Sequence, residues 1–331
     1  MKDIEVSVIV PIYNVSKWIS RCVETLMEQT ITDNIEFLFI DDCSTDDSVA
    51  LAKAVVSRFP ERQNQCVFIH HDKNSGLPAA RNTGLKHSKG KYIFHCDSDD
   101  YVEPEMLEAM LDRATRTDAD YVWCDWYLSF SKNERTMRQP EAVTARKALS
   151  DILSGSMKYN VWNKLVRRAV YTDNNISFPE GRSMGEDMTM IRLLVKADKV
   201  ASVRRPLYHY IRVNQNAMSQ RYDNAKLEDL KYNVTETVDF LKENLVNDRG
   251  LDKEIDWFLL NTKLPFLFTG NKADVDLWRE WYRESNRNIW SNRSQSVRSR
   301  ILQLCARYDL RFMIILYINL VHRIMYGKIF R

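Results

Sequence analysis

Apolar residues fall along this chain in two rhythms. Unbroken short runs come first: Val6 to Ile12, Ile35 to Ile40, Cys66 to His70 and Tyr92 to Cys96. Runs this short, rich in β-branched and aromatic side chains, predict strands covered on both faces. Between them the spacing becomes helical. Trp18 to Gln29 puts Ile19, Val23 and Leu26 on one face, and Ser48 to Arg58, Ala79 to His87 and Pro104 to about Arg116 also read as helices. Ser44 or Thr45 is expected to cap the second helix. Strict alternation of strand and helix predicts an α/β fold with a parallel, doubly wound sheet. Further along, Tyr121 to Tyr127 and Leu207 to Arg212 read as strands. Ala145 to Leu153 and Glu186 to Leu194 read as helices, and Val161 to Leu165 leads into another that ends near Tyr171. After about Tyr222 strand signals fade. Leu227 to Leu245, Asp252 to Leu260, Val275 to Ile289 and Val297 to Tyr326 all predict helices. The chain is therefore expected to divide into an α/β domain, residues 1–222, and a helical region, 223–331.

The fourth apolar run ends in Asp97-Ser98-Asp99-Asp100. Carboxylates this close repel one another unless a cation sits among them. A divalent metal at the carboxyl end of a strand, where open α/β sheets place ligands, explains the group. Mn²⁺ or Mg²⁺ binds through one or two carboxylates plus substrate phosphates, so a phosphate-bearing substrate is implied. The competing reading is an acidic turn, with Asp99 and Asp100 capping the helix after Pro104. Neither a Gly-x-Gly-x-x-Gly after the first strand nor a Walker A sequence is present, which disfavours dinucleotide and P-loop sites. A net charge of +3 over 331 residues does not suggest a nucleic-acid partner. The charge is uneven, since Arg283 to Arg331 holds ten Lys and Arg against two acids. The six cysteines have no Cys-x-x-Cys pair and sit as reduced core thiols do, against a zinc site or a disulfide framework. Asp3, Glu5 and Pro11 argue against a signal peptide, and no run of about 18 apolar residues predicts a membrane span. A cytoplasmic location is expected.

Several motifs in order then carry a resemblance. Val8-Ile9-Val10-Pro11-Ile12-Tyr13-Asn14, Ile40-Asp41-Asp42-Cys43-Ser44-Thr45-Asp46, Asn74-Ser75-Gly76 with Ala80-Arg81-Asn82-Thr83-Gly84, and Asp97-Ser98-Asp99-Asp100 resemble the inverting family 2 glycosyltransferases of GT-A fold. Trp162-Asn163-Lys164-Leu165 and Gly185-Glu186-Asp187 resemble that family's downstream motifs. The resemblance covers residues 4–220. It implies a nucleotide-diphospho-sugar transferase fold with a Rossmann-like, mostly parallel sheet. It also implies a nucleotide-sugar donor, most often a UDP-sugar, and a hydroxyl acceptor on a saccharide or lipid-linked saccharide in bacterial-type surface polysaccharide assembly. By similarity, Pro11 and Tyr13 flank the base, and Asp42 recognises the pyrimidine N–H, while Asp41 and Asp46 serve the turn. Arg81 lies near the nucleotide, where its fork matches phosphate oxygens. Asp99 binds the metal, Asp97 binds ribose or the metal through water, and Asp100 is the weakest of the three. Asp187 matches the general base, with Glu186 beside it. Against this, both acids could merely complement the helix dipole. Trp162, Asn163 and Lys164 are expected to shape the acceptor side, and His209 to be structural rather than a metal ligand. The Gln-x-x-Arg-Trp motif of processive membrane synthases is missing, so addition of a single sugar is expected.

Two other classes compete. A Mg²⁺-dependent phosphohydrolase would use Asp97 as nucleophile, but normally carries its Asp-x-Asp at the first strand. A non-catalytic nucleotide-sugar-binding protein would lack the base. At the far end, Phe312 to Val321 is uncharged and ringed by Arg311, His322, Arg323 and Lys328. Ten residues are too few to span a bilayer, but such a helix can lie in the cytoplasmic leaflet. The alternative is that it docks on the rest of the chain or on a second copy, which leaves a homo-oligomer open.

Overall fold

The computed structural model describes residues 3–212, 224–269 and 271–329. The division expected near residue 222 falls within 213–223, outside the described residues. Contacts gather the chain into two units, Met1–Ala148 with Tyr159–Leu241, and Leu149–Lys158 with Lys242–Arg331.

In the first unit, β1 (Val6–Ile12), β2 (Ile35–Asp41), β3 (Cys66–His70) and β4 (Tyr92–His95) alternate with α1 (Ile19–Met27), α2 (Ser48–Val56) and α3 (Leu77–His87). β5 (Tyr101–Val102), α4 (Met106–Thr117), β6 (Tyr121–Ser129) and β7 (Glu134–Met137) follow. Next come α5 (Ala145–Ser154), which passes into the second unit at Leu149, then β8 (Lys164–Arg167), α6 (Arg168–Thr172), α7 (Glu186–Lys196), β9 (Val200–Ile211) and α8 (Asn224–Asn244), which passes into it at Lys242. The sheet runs β3-β2-β1-β4-β8-β6-β9-β5, with β7 on β6. β3, β2, β1 and β4 are parallel, as the alternation predicted. Every residue of β1 and β2 is buried because helices cover both sheet faces, hence their near-continuous apolar runs, in which Ser7 and Glu36 hydrogen-bond each other.

Beyond β4 the sheet is mixed, so the parallel pattern read from the alternation holds for the leading strands and not throughout. β8 runs antiparallel between β4 and β6. The stretch from Val161 to Tyr171, expected to lead into a helix, is a strand and then a short helix. Four residues, with only Leu165 and Val166 apolar, are too few to show a period. β9 begins earlier than expected because its pairing slips around Arg204 to Pro206, where a proline without an N–H is tolerated. The cap of α2 is also corrected. Asp46 Oδ1 accepts from Ser48 N–H at 3.0 Å, while Ser44 Oγ and Thr45 N–H bond Asn14.

The second unit contains α9 (Leu251–Lys263), α10 (Lys272–Glu280), α11 (Val297–Arg307) and α12 (Arg311–Ile329). Two predicted helices are broken here, each for a local reason. After α10 the buried Lys263 ammonium takes the carbonyls of Trp281 (2.8 Å) and Tyr282 (3.3 Å), and Tyr282 adopts φ +49°. Between α11 and α12, Asp309 sits at φ +59°. Leu310 N–H reaches Cys305 O at 2.8 Å and Asp309 N–H reaches Ala306 O at 3.1 Å, a Schellman ending on a residue that tolerates the left-handed region. Among the described residues no helix is long and apolar enough to cross a membrane. All six cysteines are free, as expected.

α3 presses on β1 and β2, and a glycine allows it. A Cβ at Gly84 would meet Ile9 Cγ2 at 2.3 Å. Gly84→Ala should therefore cost about 1–3 kcal/mol of unfolding free energy in a urea titration, the usual cost of overpacking. An unchanged midpoint would show that the contact relaxes freely.

Candidate active site

The strand order sets the carboxyl ends of β2, β1 and β4 side by side, and the acidic motifs lie along that edge. β1 outlasts β4. Their pairing ends at Ile9 and His95, and Cys96 N–H gives a last bond to Ile9 O at 3.0 Å. On the other side, Ile12 O accepts from Asp42 N–H at 2.9 Å. Odd residues of β1 thus turn their backbone polar groups to β4, and even residues to β2. Buried Pro11 is odd, so its missing N–H falls where β4 has already ended and no ladder bond is lost. Where the pairing of the two strands stops, Tyr13, 49% exposed, follows β1 and half-buried Asp97 follows β4.

Asp42 ties the end of β2 to the loop that opens α3. Its buried carboxylate accepts from Ser75 N–H and Gly76 N–H, each at 2.8 Å, and meets His71 Nδ1 at 2.7 Å. A carboxylate offers about four acceptor sites, so these contacts occupy most of them. Asp41 serves the turn, as expected, accepting from Ser44 N–H and meeting His70 Nδ1.

Arg81 projects from α3 and is 2% exposed. Its Nη2 donates to Asp97 Oδ1 at 2.6 Å. Its Nε and Nη1 find no hydrogen-bond partner among the described residues, and the guanidinium carbon lies 5.7 Å from the Phe178 ring centroid. Burial alone would weaken this cation, but Asp97, and then Glu186 and Asp187, outweigh burial and hold the charge on. A single buried cation thus links the acids after β4 to those opening α7.

Glu186 and Asp187 fill the first turn of α7. Asp187 is exposed at its surface, so a ligand can reach it. Protein on its remaining sides, and Glu186 next to it, push its carboxyl up to about 7, against a bond from Val161 N–H to Oδ1 at 3.0 Å. Burial also raises Glu186, against its own backbone N–H and Arg81.

The three acids after β4 divide. Asp97 and Asp99 are half-buried at the edge. Asp100 is buried: Tyr208 Oη donates to its Oδ2 at 2.8 Å and Ile211 N–H to its Oδ1 at 2.7 Å. Burial, with Asp99 and Asp97 nearby, drives its carboxyl well up. Asp100 therefore fastens the end of β4 to β9. Among the described residues no three His, Cys, Asp or Glu side chains form a protein cage for a metal. Two oxygen-donor residues on one loop fit a hard cation that takes one or two carboxylates and completes its shell with phosphate oxygens and water.

His209 is structural, as expected. Its two ring nitrogens lie 2.8 Å from Glu103 and Glu134, and it stacks between Tyr101 and Tyr127. Trp162 stacks on Tyr208 at 4.4 Å and on Tyr210 at 5.3 Å, and Lys164 is buried. The sequence reading missed both tyrosines. Tyr208 also accepts from Asp97 N–H at 3.1 Å, and burial with the nearby acids pushes Tyr210 up to about 12. The alternation in Leu207-Tyr208-His209-Tyr210 was the available signal, since it puts both tyrosines on one face.

Comparisons with known proteins give the family and the fold. The family described as "Glycosyl transferase family 2" matches residues 7–182. EpsH of Bacillus subtilis (strain 168), named as a glycosyltransferase, is 31% identical over 268 residues, covering 78% of this chain and 75% of that one. Glycosyltransferase GlyG of Streptococcus pneumoniae serotype 4 is 29% identical over 238 residues, covering 68% and 76%. Among solved structures, S. aureus TarS 1–349 in complex with UDP-GlcNAc aligns with a TM-score of 0.69 at 21% identity, covering 98% of this chain and 92% of that one. That likeness shows the GT-A fold. Since the parting of β1 and β4, Arg81 and the acidic strand end all lie inside the matched stretch, the chain belongs to glycosyl transferase family 2 and is a glycosyltransferase.

Proposed function

We propose that this glycosyltransferase moves one sugar from a UDP-sugar to a hydroxyl of a saccharide or lipid-linked saccharide, with inversion, in cell-surface polysaccharide assembly. The observation that carries it is the convergence of Asp97, Glu186 and Asp187 on the buried guanidinium of Arg81, at the carboxyl edge of the parallel strands. Family membership sets aside the phosphohydrolase reading and the non-catalytic one. TarS in complex with UDP-GlcNAc supports a UDP-linked donor, and the Poly(ribitol-phosphate) beta-glucosyltransferase of Bacillus spizizenii, 27% identical over 236 residues, supports a polymeric surface acceptor.

Each residue then has a part. Tyr13, exposed after β1, stacks on the base, and Pro11 shapes the strand end beneath it. The remaining acceptor capacity of Asp42 receives the pyrimidine N–H. Asp97 and Asp99 would hold Mn²⁺ or Mg²⁺, which would supply positive charge to the departing diphosphate. The mannosyltransferase PcManGT of Pyrobaculum calidifontis, solved with GDP-Man and Mn2+, supports the metal. Arg81 fixes Asp97 and adds positive charge near the phosphates. Asp187 accepts the proton of the attacking hydroxyl. Attack from the face opposite the leaving group inverts the anomeric centre without a covalent enzyme intermediate.

A base works only when deprotonated, so kcat should rise with pH through about 7 and level off above it. Asp187→Asn should cut kcat by about 10²–10⁴-fold while leaving donor binding intact. UDP release from a panel of UDP-sugars, with Mn²⁺ and then with chelator, measures both. A rate that falls as pH rises, or full activity of Asp187→Asn, would remove Asp187 from this role.

The second unit suits a surface role. On α12, Phe312, Met313, Ile315, Leu316 and Leu320 are all exposed, with Phe312 at 74%. Together with the basic excess of the C-terminal stretch, this patch supports peripheral attachment to an anionic leaflet. Full-length protein should float with vesicles containing anionic phospholipid. A Phe312→Glu, Leu316→Glu variant should stay with the soluble fraction, and equal flotation of the two would end the idea.

A further inference from the structure

We infer that Lys164 is a positioning residue for the Asp187 carboxylate, acting through the backbone of residues 160–163. The inference rests on the reading of Asp187 as base and names what holds that base still. Lys164 is 1% exposed. Its ammonium donates to Asn160 O at 3.2 Å and to Asn163 Oδ1. Asn163, fully buried, donates through Nδ2 to Cys124 O at 2.8 Å, and Cys124 N–H returns a bond to Asn163 O at 3.2 Å. The segment is therefore anchored to β6 at Asn163 and folded over the lysine at Asn160. Between these points lies Val161, 1% exposed, whose N–H donates to Asp187 Oδ1.

The chemistry gives the segment a purpose. Asp187 stands in the first turn of α7 with its surface open, where an unrestrained carboxylate samples several rotamers. The Val161 amide fixes Oδ1, and Oδ2 makes no hydrogen bond among the described residues, so Oδ2 is the oxygen presented to an incoming hydroxyl. A base displaced by about 1 Å loses about 10²-fold in rate. Glu186 and Asp97 oppose the ionised form of Asp187, and Arg81 supports it. Burial draws the Lys164 ammonium down to about 7, while Cys124 and then Asp187 pull it the other way.

The test compares wild type with Lys164→Met and the milder Lys164→Gln by hydrogen exchange and by steady-state UDP release. Residues 160–163 should exchange faster in both variants, and kcat should drop about 10²-fold with the donor KM unchanged. If Lys164→Met does not fold, Lys164→Gln decides. Unchanged exchange at 160–163, or a raised donor KM with kcat intact, overturns the proposal. The exchange measurement does not depend on what Asp187 does. Loss of the base reading through Asp187→Asn would therefore leave the anchoring result standing, and the two failures are told apart.

Discussion

One buried guanidinium organises the acidic edge of this protein. Burying a cation costs several kcal/mol unless charge and hydrogen bonds compensate it. Arg81 is 2% exposed and is compensated from two directions, by Asp97 after β4 and by Glu186 and Asp187 at the start of α7. The dependence is mutual. Without the cation, acids brought together from two distant parts of the chain would repel one another and favour protonation or separation. Placing Arg81 there requires α3 to lie close on β1, which the missing side chain of Gly84 permits. The electrostatic centre thus depends on a steric detail of the helix–sheet interface.

The sheet supplies the space. Parallel strands that end together would present a flat rim, but β4 stops at His95 while β1 continues to Ile12. Pro11 occupies the overhang, where an N–H has no partner to lose. Antiparallel β8 then brings residues 160–163 to the same edge, because its first paired residues lie beside the end of β4. The departure from an all-parallel sheet is what lets the backbone of Val161 reach Asp187.

Much of this was legible in the chain. The four leading strands, their helices and the acidic strand end follow from unbroken apolar runs and from charges too dense to stand alone. The structure places Pro11, Tyr13, Asp42, Arg81, Asp97, Asp99 and Asp187 in one unit. What escaped was non-local or too short to carry a period. β8 has four residues, and β9 is interrupted by Arg204 to Pro206. Lys263, far from Trp281 in sequence, breaks a helix by taking its carbonyls, and Asp309 ends another through a single left-handed residue. Tyr208 and Tyr210 carried a readable alternation, yet their partners, Asp97 and Asp100, lie about a hundred residues earlier, and pairing at that distance is not written in local pattern.

The aspartates also show how one residue type divides its labour. Asp100 has both oxygens committed to protein donors and holds a strand end in place, while Asp42 accepts three, which ties a loop down and leaves about one acceptor site. Asp97 and Asp187 each give one oxygen to the protein, Oδ1 in both cases, to Arg81 and to the Val161 amide. A carboxylate held at one oxygen is oriented without being used up. The difference lies in how many protein donors surround each group, and burial sets that number: Asp42 and Asp100 are 2% exposed, whereas Asp97 is half-buried and Asp187 open. The motif places several carboxylates at the edge, and the depth at which each comes to rest decides which ones remain able to act on a ligand.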